Sequence, residues 1–276
     1  MADQLIEIVR HQPHSALTGL VAGIVGSHER ADGVVRRRQP AGTLIPLVLS
    51  FGEPLQIEAL SDGEGACRSY TSFVAGMMPG HASTMFQGTQ DGVQVYLTPP
   101  GAYRLLGGAA AGRVTAVADL DNVALTLGGV LPERLHSART WRERFTLVED
   151  ALLRLAAAGR EPDDVVTWMW TAIHGSGGQA RVADLIRRTG FSHRHVTTRF
   201  RDQLGLSPKA MSGVVRFERA SADLGTAPLA ELATRHGYAD QSHLTREVMR
   251  YAGESPLALG RARRPTAHTA LGIDVY

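Results

Sequence analysis

The chain has 276 residues, of which 43% are hydrophobic and 20% charged, with a formal net charge of +2; this is the composition of a soluble globular protein with room for about two domains. Its one cysteine, Cys67, excludes an internal disulfide and every zinc site built on several thiolates. No run of roughly eighteen apolar residues occurs, which excludes a membrane-spanning helix by the usual length criterion. The first residues carry acids at Asp3 and Glu7 and do not read as a signal peptide, so the expected location is the cytoplasm.

Residues 1–135 read as a β-rich domain. Short apolar or alternating runs at 43–51, 54–60, 69–77, 83–87 and 93–98 predict strands. The SDGEG at 61–65 and the TQDG at 89–92 supply the Gly and Asp of tight reversals, which predicts antiparallel pairing of consecutive strands. Strands at this spacing imply a sandwich or small barrel, an architecture able to enclose a ligand. His11, His14, His28 and His81 are scattered, without a His-x-His on a strand, so no metal is expected, and no cofactor fingerprint is present. GGAAAG at 107–112 lacks the strand and helix that a dinucleotide loop requires. The run Arg36, Arg37, Arg38 reads as a solvated patch and Cys67 as a small half-buried residue. TPPGAYRLLGG at 98–108 reads as a strand end turning into a short helix that serves as a lid or a packing element.

Residues 136–162 read as a helical linker. Trp141, Phe145, Val148, Leu152 and Leu155 recur at steps of four and three, a stripe that fits two arrangements: a seam between two copies in a homodimer, or a helix packed on its own domain. Gly159 and Pro162 end it. A further helix follows, with Val165, Trp168, Met169 and Ile173 assigned to one apolar face.

Charge is distributed unevenly. Residues 1–175 hold fourteen basic against eighteen acidic residues, whereas residues 176–264 hold fifteen basic, fourteen of them Arg, against eight acidic. A basic segment on an otherwise mildly acidic chain is the footprint of a surface that meets phosphates.

That basic segment also repeats. VADLIRRTGFS at 182–192 aligns with LAELATRHGYA at 229–239 at an offset of 47, and Val196, Phe200, Gly205 and Pro208 align with Leu244, Val248, Gly253 and Pro256 at 48. The extra residue of the second copy falls at the start of its second helix. Each copy reads as a helix-turn-helix. In the first, Ala183, Leu185 and Ile186 give a short amphipathic helix, Gly190 permits a left-handed stop, and Ser192 caps the next helix, whose Val196 and Phe200 point inward. Arg194, Thr197, Thr198 and Arg201 then face out. In the second copy Asp240 is the cap, Leu244 and Val248 point inward, and Gln241, Ser242, Thr245 and Arg246 face out. These are side chains able to read base edges and phosphates in a major groove. Residues 208–224 read as one continuous helix, a spacer able to hold two reading helices about 34 Å apart.

The segment GFSHRHVTTRFRDQLGLSPKAMSGVVRFERA, followed by LAELATRHGYADQSHLTREVMRYAGESP, resembles the DNA-binding domain of the AraC/XylS family of transcription regulators over about residues 165–264, and is similar to an actinobacterial branch of it. The resemblance implies base-facing roles for Arg194, Thr197 and Thr198 and for Gln241, Ser242, Thr245 and Arg246. It also implies an N-terminal cupin-like effector or dimerisation domain. The expected organisation is therefore α+β in two domains: a β-sandwich or barrel sensor at 1–135, the linker at 136–162, a tandem helix-turn-helix domain at 163–264 and a tail at 265–276. The expected function is sequence-specific DNA binding by an effector-responsive regulator that is not an enzyme, with double-stranded DNA, a small-molecule effector and a second copy of the chain as partners. The alternative is a small-molecule-binding or enzymatic β-barrel with an accessory helical domain. A DNA-repair methyl acceptor fused to such a domain would need several N-terminal thiols, which the single Cys67 cannot supply.

Overall fold

The computed structural model describes residues 4–61, 67–107, 117–123, 127 and 129–262. The N-terminal half is one eight-stranded sheet in the order β1 (Gln4–His11), β2 (Val21–Gln39), β7 (Ala82–Leu97), β3 (Ile45–Ser50), β6 (Phe73–Ala75), β8 (Val117–Asp119); β4 (Leu55–Leu60) pairs with β7 and with β5 (Arg68–Tyr70). Every pairing is antiparallel.

Two long strands organise this sheet. β2 and β7 pair along nearly their whole lengths, from Val21 opposite Leu97 to Gln39 opposite Ala82. Between Ala31 and Val35 the register shifts, so that Asp32, Gly33 and Val34 stand against Gln87 alone. An excess of residues on one strand bends the sheet. Beyond the bend β7 exchanges its second neighbour: Gly92 to Leu97 pair with β3, whereas Ala82 to Met85 pair with β4. The sheet therefore curls around a concave inner face.

Strand periodicity assigns alternate residues to the two faces. On the convex face, Ile45, Leu47 and Leu49 of β3 and Val93, Val95 and Leu97 of β7 are buried under helices. On the concave face, Pro46, Val48 and Ser50 and Gly92, Gln94 and Tyr96 line a cavity.

The TQDG stretch lies inside β7 rather than at a reversal, and the predicted runs 83–87 and 93–98 are one strand. The run at 69–77 is instead divided between β5 and β6. SDGEG after Ser61 and GGAAAG after Gly107 lie outside the described residues, as does the tail from residue 263. Cys67 is exposed rather than half-buried.

Two helices cover the convex face. α1 (Pro99–Leu105) is capped by the Thr98 hydroxyl, which accepts from the Gly101 N–H, and its Gly101 lies so close to the carbonyl of Leu20 that a Cβ there would overlap it. This segment is a packing element. After α2 (Leu120–Val123) and α3 (Leu131–Ser137), α4 (Trp141–Ala158) begins with a reciprocal cap: the Glu143 N–H donates to the Thr140 hydroxyl at 3.2 Å, and the Thr140 N–H donates to the Glu143 carboxylate at 3.3 Å. The stripe on α4 packs on the chain's own sheet. Phe145 stacks on His11 with ring centroids 4.6 Å apart, Trp141 lies against Gly26, and Phe145, Val148 and Leu152 are buried.

The C-terminal half is helical: α5 (Asp164–Gly175), α6 (Val182–Thr189), α7 (His193–Leu204), α8 (Pro208–Ala222), α9 (Leu229–Arg235), α10 (Gln241–Ala252) and α11 (Pro256–Ala262). The buried side of α5 is centred on Val166, Met169 and Ile173, one residue round from the predicted face; Val165 and Trp168 flank it, and Arg188 lies over the Trp168 ring. In α6 the buried residues are Leu185 and Ile186, and Ala183 is exposed. One apolar core runs from the convex face of the sheet into these helices.

Candidate DNA-binding surface and the cavity beside it

The two halves of the sequence repeat fold alike. Gly190 and Gly237 both hold a left-handed backbone, φ 74° and 71°, ending the first helix of each unit in a conformation that a side chain would strain. Ser192 then caps α7 by accepting from the His195 N–H at 3.3 Å, and Asp240 caps α10 by accepting from the His243 N–H at 2.7 Å. Both caps align at an offset of 48, so the extra residue of the second copy is Ala239, in the turn ahead of the cap rather than in the helix. Behind the caps, Val196, Phe200, Leu244 and Val248 are buried, which fixes the rotation of both helices.

That rotation turns a polar face outward. Arg194, Thr198 and Arg201 on α7 and Gln241, Ser242 and Arg246 on α10 are exposed, while Thr197 and Thr245 are half-buried at the edges of those faces. The Thr245 hydroxyl donates to the Gln241 carbonyl and the Arg246 Nε to the Ser242 carbonyl. His243 packs locally, edge-on to the Tyr238 ring.

Ion pairing sorts the arginines of the basic segment. Arg187 pairs with Asp184, Arg199 with Asp163 and Arg235 with Asp223 and Glu231. Among the described residues Arg194, Arg201 and Arg246 form no ion pair. The sequence alone did not separate these groups. The Arg199 pair has a structural role, because Asp163 also caps α5 through the Val165 N–H and donates its own N–H to Gln203 of α7.

Between the two units, α8 is the continuous spacer the sequence predicted, capped by the Ser207 hydroxyl. Phe217 and Tyr251 pack with centroids 5.1 Å apart, and Arg216 reaches Glu247 at 3.8 Å and lies over the Tyr238 ring. Burial pushes the Tyr238 phenol well above its ordinary range.

The concave face of the sheet encloses a cavity of about 280 Å³. Its walls are largely apolar, with Leu44, Pro46, Val48, Ile57, Phe73, Met77 and Phe86 among them. Four charged side chains belong to it: Glu29 and Arg37 from β2, Asp91 from β7, which His28 meets at 2.6 Å, and Glu218 from α8. Arg37 holds Glu29 with both terminal nitrogens and lies over the Phe86 ring. The predicted solvated patch is thus divided: Arg37 is part of the cavity, Arg36 pairs with Glu58, and Arg38 donates to the Gly253 carbonyl at 2.8 Å. Tyr96 donates its hydroxyl to the Gln94 side-chain oxygen at 2.7 Å, and burial pushes its phenol up to about 12.

The loop between β2 and β3 joins this cavity to the helical half. Gln39, Pro40, Ala41, Gly42 and Leu44 line the cavity. From the same loop Ala41 donates its N–H to the Tyr251 carbonyl at 2.8 Å, and Thr43 donates its N–H and its hydroxyl to the two carboxylate oxygens of Glu218. The loop therefore touches the last turn of α10 and the middle of α8. On the reading faces Arg194, Thr198 and Arg201 of α7 and Gln241, Ser242 and Arg246 of α10 remain exposed.

Two capped helices with matched polar faces, held by one spacer helix, define a tandem helix-turn-helix DNA-binding protein. Residues 185–262 match the family model described as a helix-turn-helix domain, of the AraC type. Among solved structures, the C-terminal domain of AraT, a response regulator from Geobacillus stearothermophilus, is similar to this chain at 21% identity and a TM-score of 0.36, covering 38% of this chain and 89% of that one. ToxT from Vibrio cholerae aligns at 7% identity and a TM-score of 0.49, covering 94% of this chain and 98% of that one. No curated protein matches. An AraC-type helix-turn-helix domain thus occupies residues 185–262 and marks the chain as a DNA-binding transcription regulator. Among the described residues no helix is long and apolar enough to cross a membrane, and no group of three or more His, Cys, Asp or Glu residues is placed to hold a metal ion.

Proposed function

We propose that this regulator is effector-responsive: α7 and α10 read two successive major-groove segments of one duplex, and the cavity of the sheet takes a small molecule whose presence is felt by the DNA-binding half. The first part assigns base contacts to Arg194, Thr197 and Thr198 on α7 and to Gln241, Ser242, Thr245 and Arg246 on α10, with Arg201 on phosphate. Lone cations and short hydroxyl or amide side chains at the N-terminal end of a groove-entering helix support this reading.

One observation carries the second part. The five cavity-lining residues between positions 39 and 44 share a short loop with the donors to Glu218 of α8 and to Tyr251 of α10. A ligand pressing on that loop bears on the spacer and on the second reading helix together. A ligand shifts such an equilibrium only by its differential affinity for the two loop arrangements. The chain acts by binding, and no catalytic step is assigned to it.

In-vitro selection of duplexes with the full chain tests the first part: the expected product is one site with two half-boxes about one helical turn apart. Recovery of no enriched sequence at low salt would remove the assignment. For the second part, a small-molecule screen by thermal unfolding should find ligands that stabilise the chain and change its affinity for the selected duplex. A substitution that fills the cavity, Val48→Trp, should abolish both effects; retention of both would place the ligand elsewhere.

A further inference from the structure

The sheet ends on β1, which among the described residues pairs with β2 alone. Its outer edge therefore presents the backbone N–H and C=O groups of alternate residues to a further strand. Folded proteins commonly blunt such an edge with a proline, a bulge or a lysine. β1 has none of these: QLIEIVRH runs in unbroken register from Gln4 opposite Ala31 to His11 opposite Ile24. It is also apolar where it meets water. Leu5, Ile6 and Ile8 are 63%, 48% and 51% exposed.

The two faces of β1 differ. Glu7 accepts from the Trp141 indole N–H at 3.3 Å and His11 stacks on Phe145, so α4 holds one face. Ile6 and Ile8 lie on the other, paired with Glu29 and Ser27, which line the cavity. The concave face thus continues past the cavity onto two uncovered isoleucines.

A free strand edge takes a strand, and a second copy of β1 fits this one. Antiparallel pairing about a two-fold axis keeps the concave faces of both copies on one side, so the isoleucines of the two copies meet on a single surface. Charge and length then select the register. An axis at Glu7 would set two carboxylates opposite each other, which is unfavourable. An axis at Val9 would carry Ile6 and Leu5 past the end of the strand, onto Gln12 and Pro13. An axis at Ile8 sets Ile8 opposite its own copy, Ile6 opposite Arg10 and Glu7 opposite Val9. No like charges then face each other, and the arginine stem can lie along the isoleucine.

We infer that β1 is a self-association edge: two copies of the chain join through their β1 strands, antiparallel and centred on Ile8, into one sheet whose two cavities flank the seam. This is independent of whether the cavity holds a ligand, and it names the surface through which a second copy of the chain binds.

The test uses the full chain without DNA. Sedimentation velocity should show a dimer whose fraction rises with concentration. Ile8→Lys places two ammonium groups at the axis and should weaken the association at least about tenfold, with the melting curve by circular dichroism little changed because the side chain is exposed. A second readout does not depend on that variant. In a Cys67→Ser background, Ile8→Cys should give a disulfide-linked dimer on mild oxidation, because only residues at the axis bring their own copies within bonding reach. Leu257→Cys in the same background, at an exposed position on α11, should not. A natural chain still monomeric at about 100 μM overturns the inference. So does a dimer indifferent to Ile8→Lys, or one that cross-links at Leu257→Cys as readily as at Ile8→Cys.

Discussion

Thr43 donates both its backbone N–H and its hydroxyl to the two oxygens of a single carboxylate, that of Glu218, at 3.0 and 2.7 Å. The two residues lie 175 positions apart, one in the loop between two strands and the other on the spacer between two DNA-reading units. Both are buried. A hydrogen bond to a charged group contributes roughly 1.5–3 kcal/mol, and a buried carboxylate that loses a donor still bears its desolvation cost. Thr43→Val, which keeps shape and backbone N–H but removes the hydroxyl, should therefore lower stability by about that amount in urea unfolding. In combination with Glu218→Gln the cost should be less than additive. Strict additivity would show that the two groups do not act on one another.

Reading-face residues that form no ion pair among the described residues should behave differently from the arginines that do. Arg194→Ala, Gln241→Ala and Arg246→Ala should each weaken binding to a selected duplex by roughly 1–3 kcal/mol and relax specificity at one position, leaving the fold intact. Arg199→Ala should do the reverse. It breaks the pair with Asp163, which joins α7 to the start of α5, and should lower stability with little effect on discrimination between cognate and scrambled duplexes. Fluorescence anisotropy with both duplexes, alongside circular dichroism melts, separates the two behaviours. Equal loss on cognate and scrambled DNA in all three reading-face variants would reduce those residues to phosphate contacts.

The helical half was legible because each signal there is local. Apolar residues four apart fixed the rotation of α7 and α10, a Ser and an Asp in the right place announced the caps, and the repeat tested one copy against the other. In the sheet the deciding signals are not local. β2 is 19 residues long, yet beyond its bulge one side faces the cavity and the other is largely exposed, so SHERADGVVRRRQ shows no apolar alternation to mark a strand. TQDG has the composition of a reversal, but the β2 pairing continues through it and carries the chain straight on. Arg37 was hidden between Arg36 and Arg38: three arginines in a row read as one patch, and only the pleat sends the middle one to the opposite face. The stripe on α4 had a period that suits a partner helix or a sheet equally. The aromatic stack of Phe145 on His11, 134 residues away in the chain, decided it in favour of the sheet.

Two glycines should respond to the same substitution for different reasons. At Gly190 the surroundings are open, so Gly190→Ala meets only the strain of a left-handed backbone at φ 74°, about 1–2 kcal/mol. Gly101→Ala has no such dihedral problem but drives a methyl group into the Leu20 carbonyl, a backbone atom unable to swing aside. The α1 helix must then shift from the convex face of the sheet, and the cost should exceed that at Gly190. Urea midpoints of the two variants measure the difference; a milder effect at Gly101 would mean that α1 is free to move on the sheet.

Alkaline titration should expose the buried phenol of the cavity wall. Tyr96 is raised from 10.0 to about 12 by burial, so the folded chain holds this proton more tightly than the unfolded chain does. The associated stability is complete below the unfolded value and is lost as pH rises from 10.0 through about 12. Tyr96→Phe has no proton to release there, and it also loses the hydrogen bond to Gln94, a cost present at every pH below that window. Its stability should therefore begin lower and fall less steeply between about pH 10 and pH 11, with the residual slope set by groups such as Tyr238 and Tyr251, which burial also raises. Urea unfolding of the natural chain and the variant across that window reads both slopes. Parallel curves would mean that the Tyr96 phenol ionises as readily in the folded protein as in the unfolded one, and that the wall around it is wetter than its packing implies.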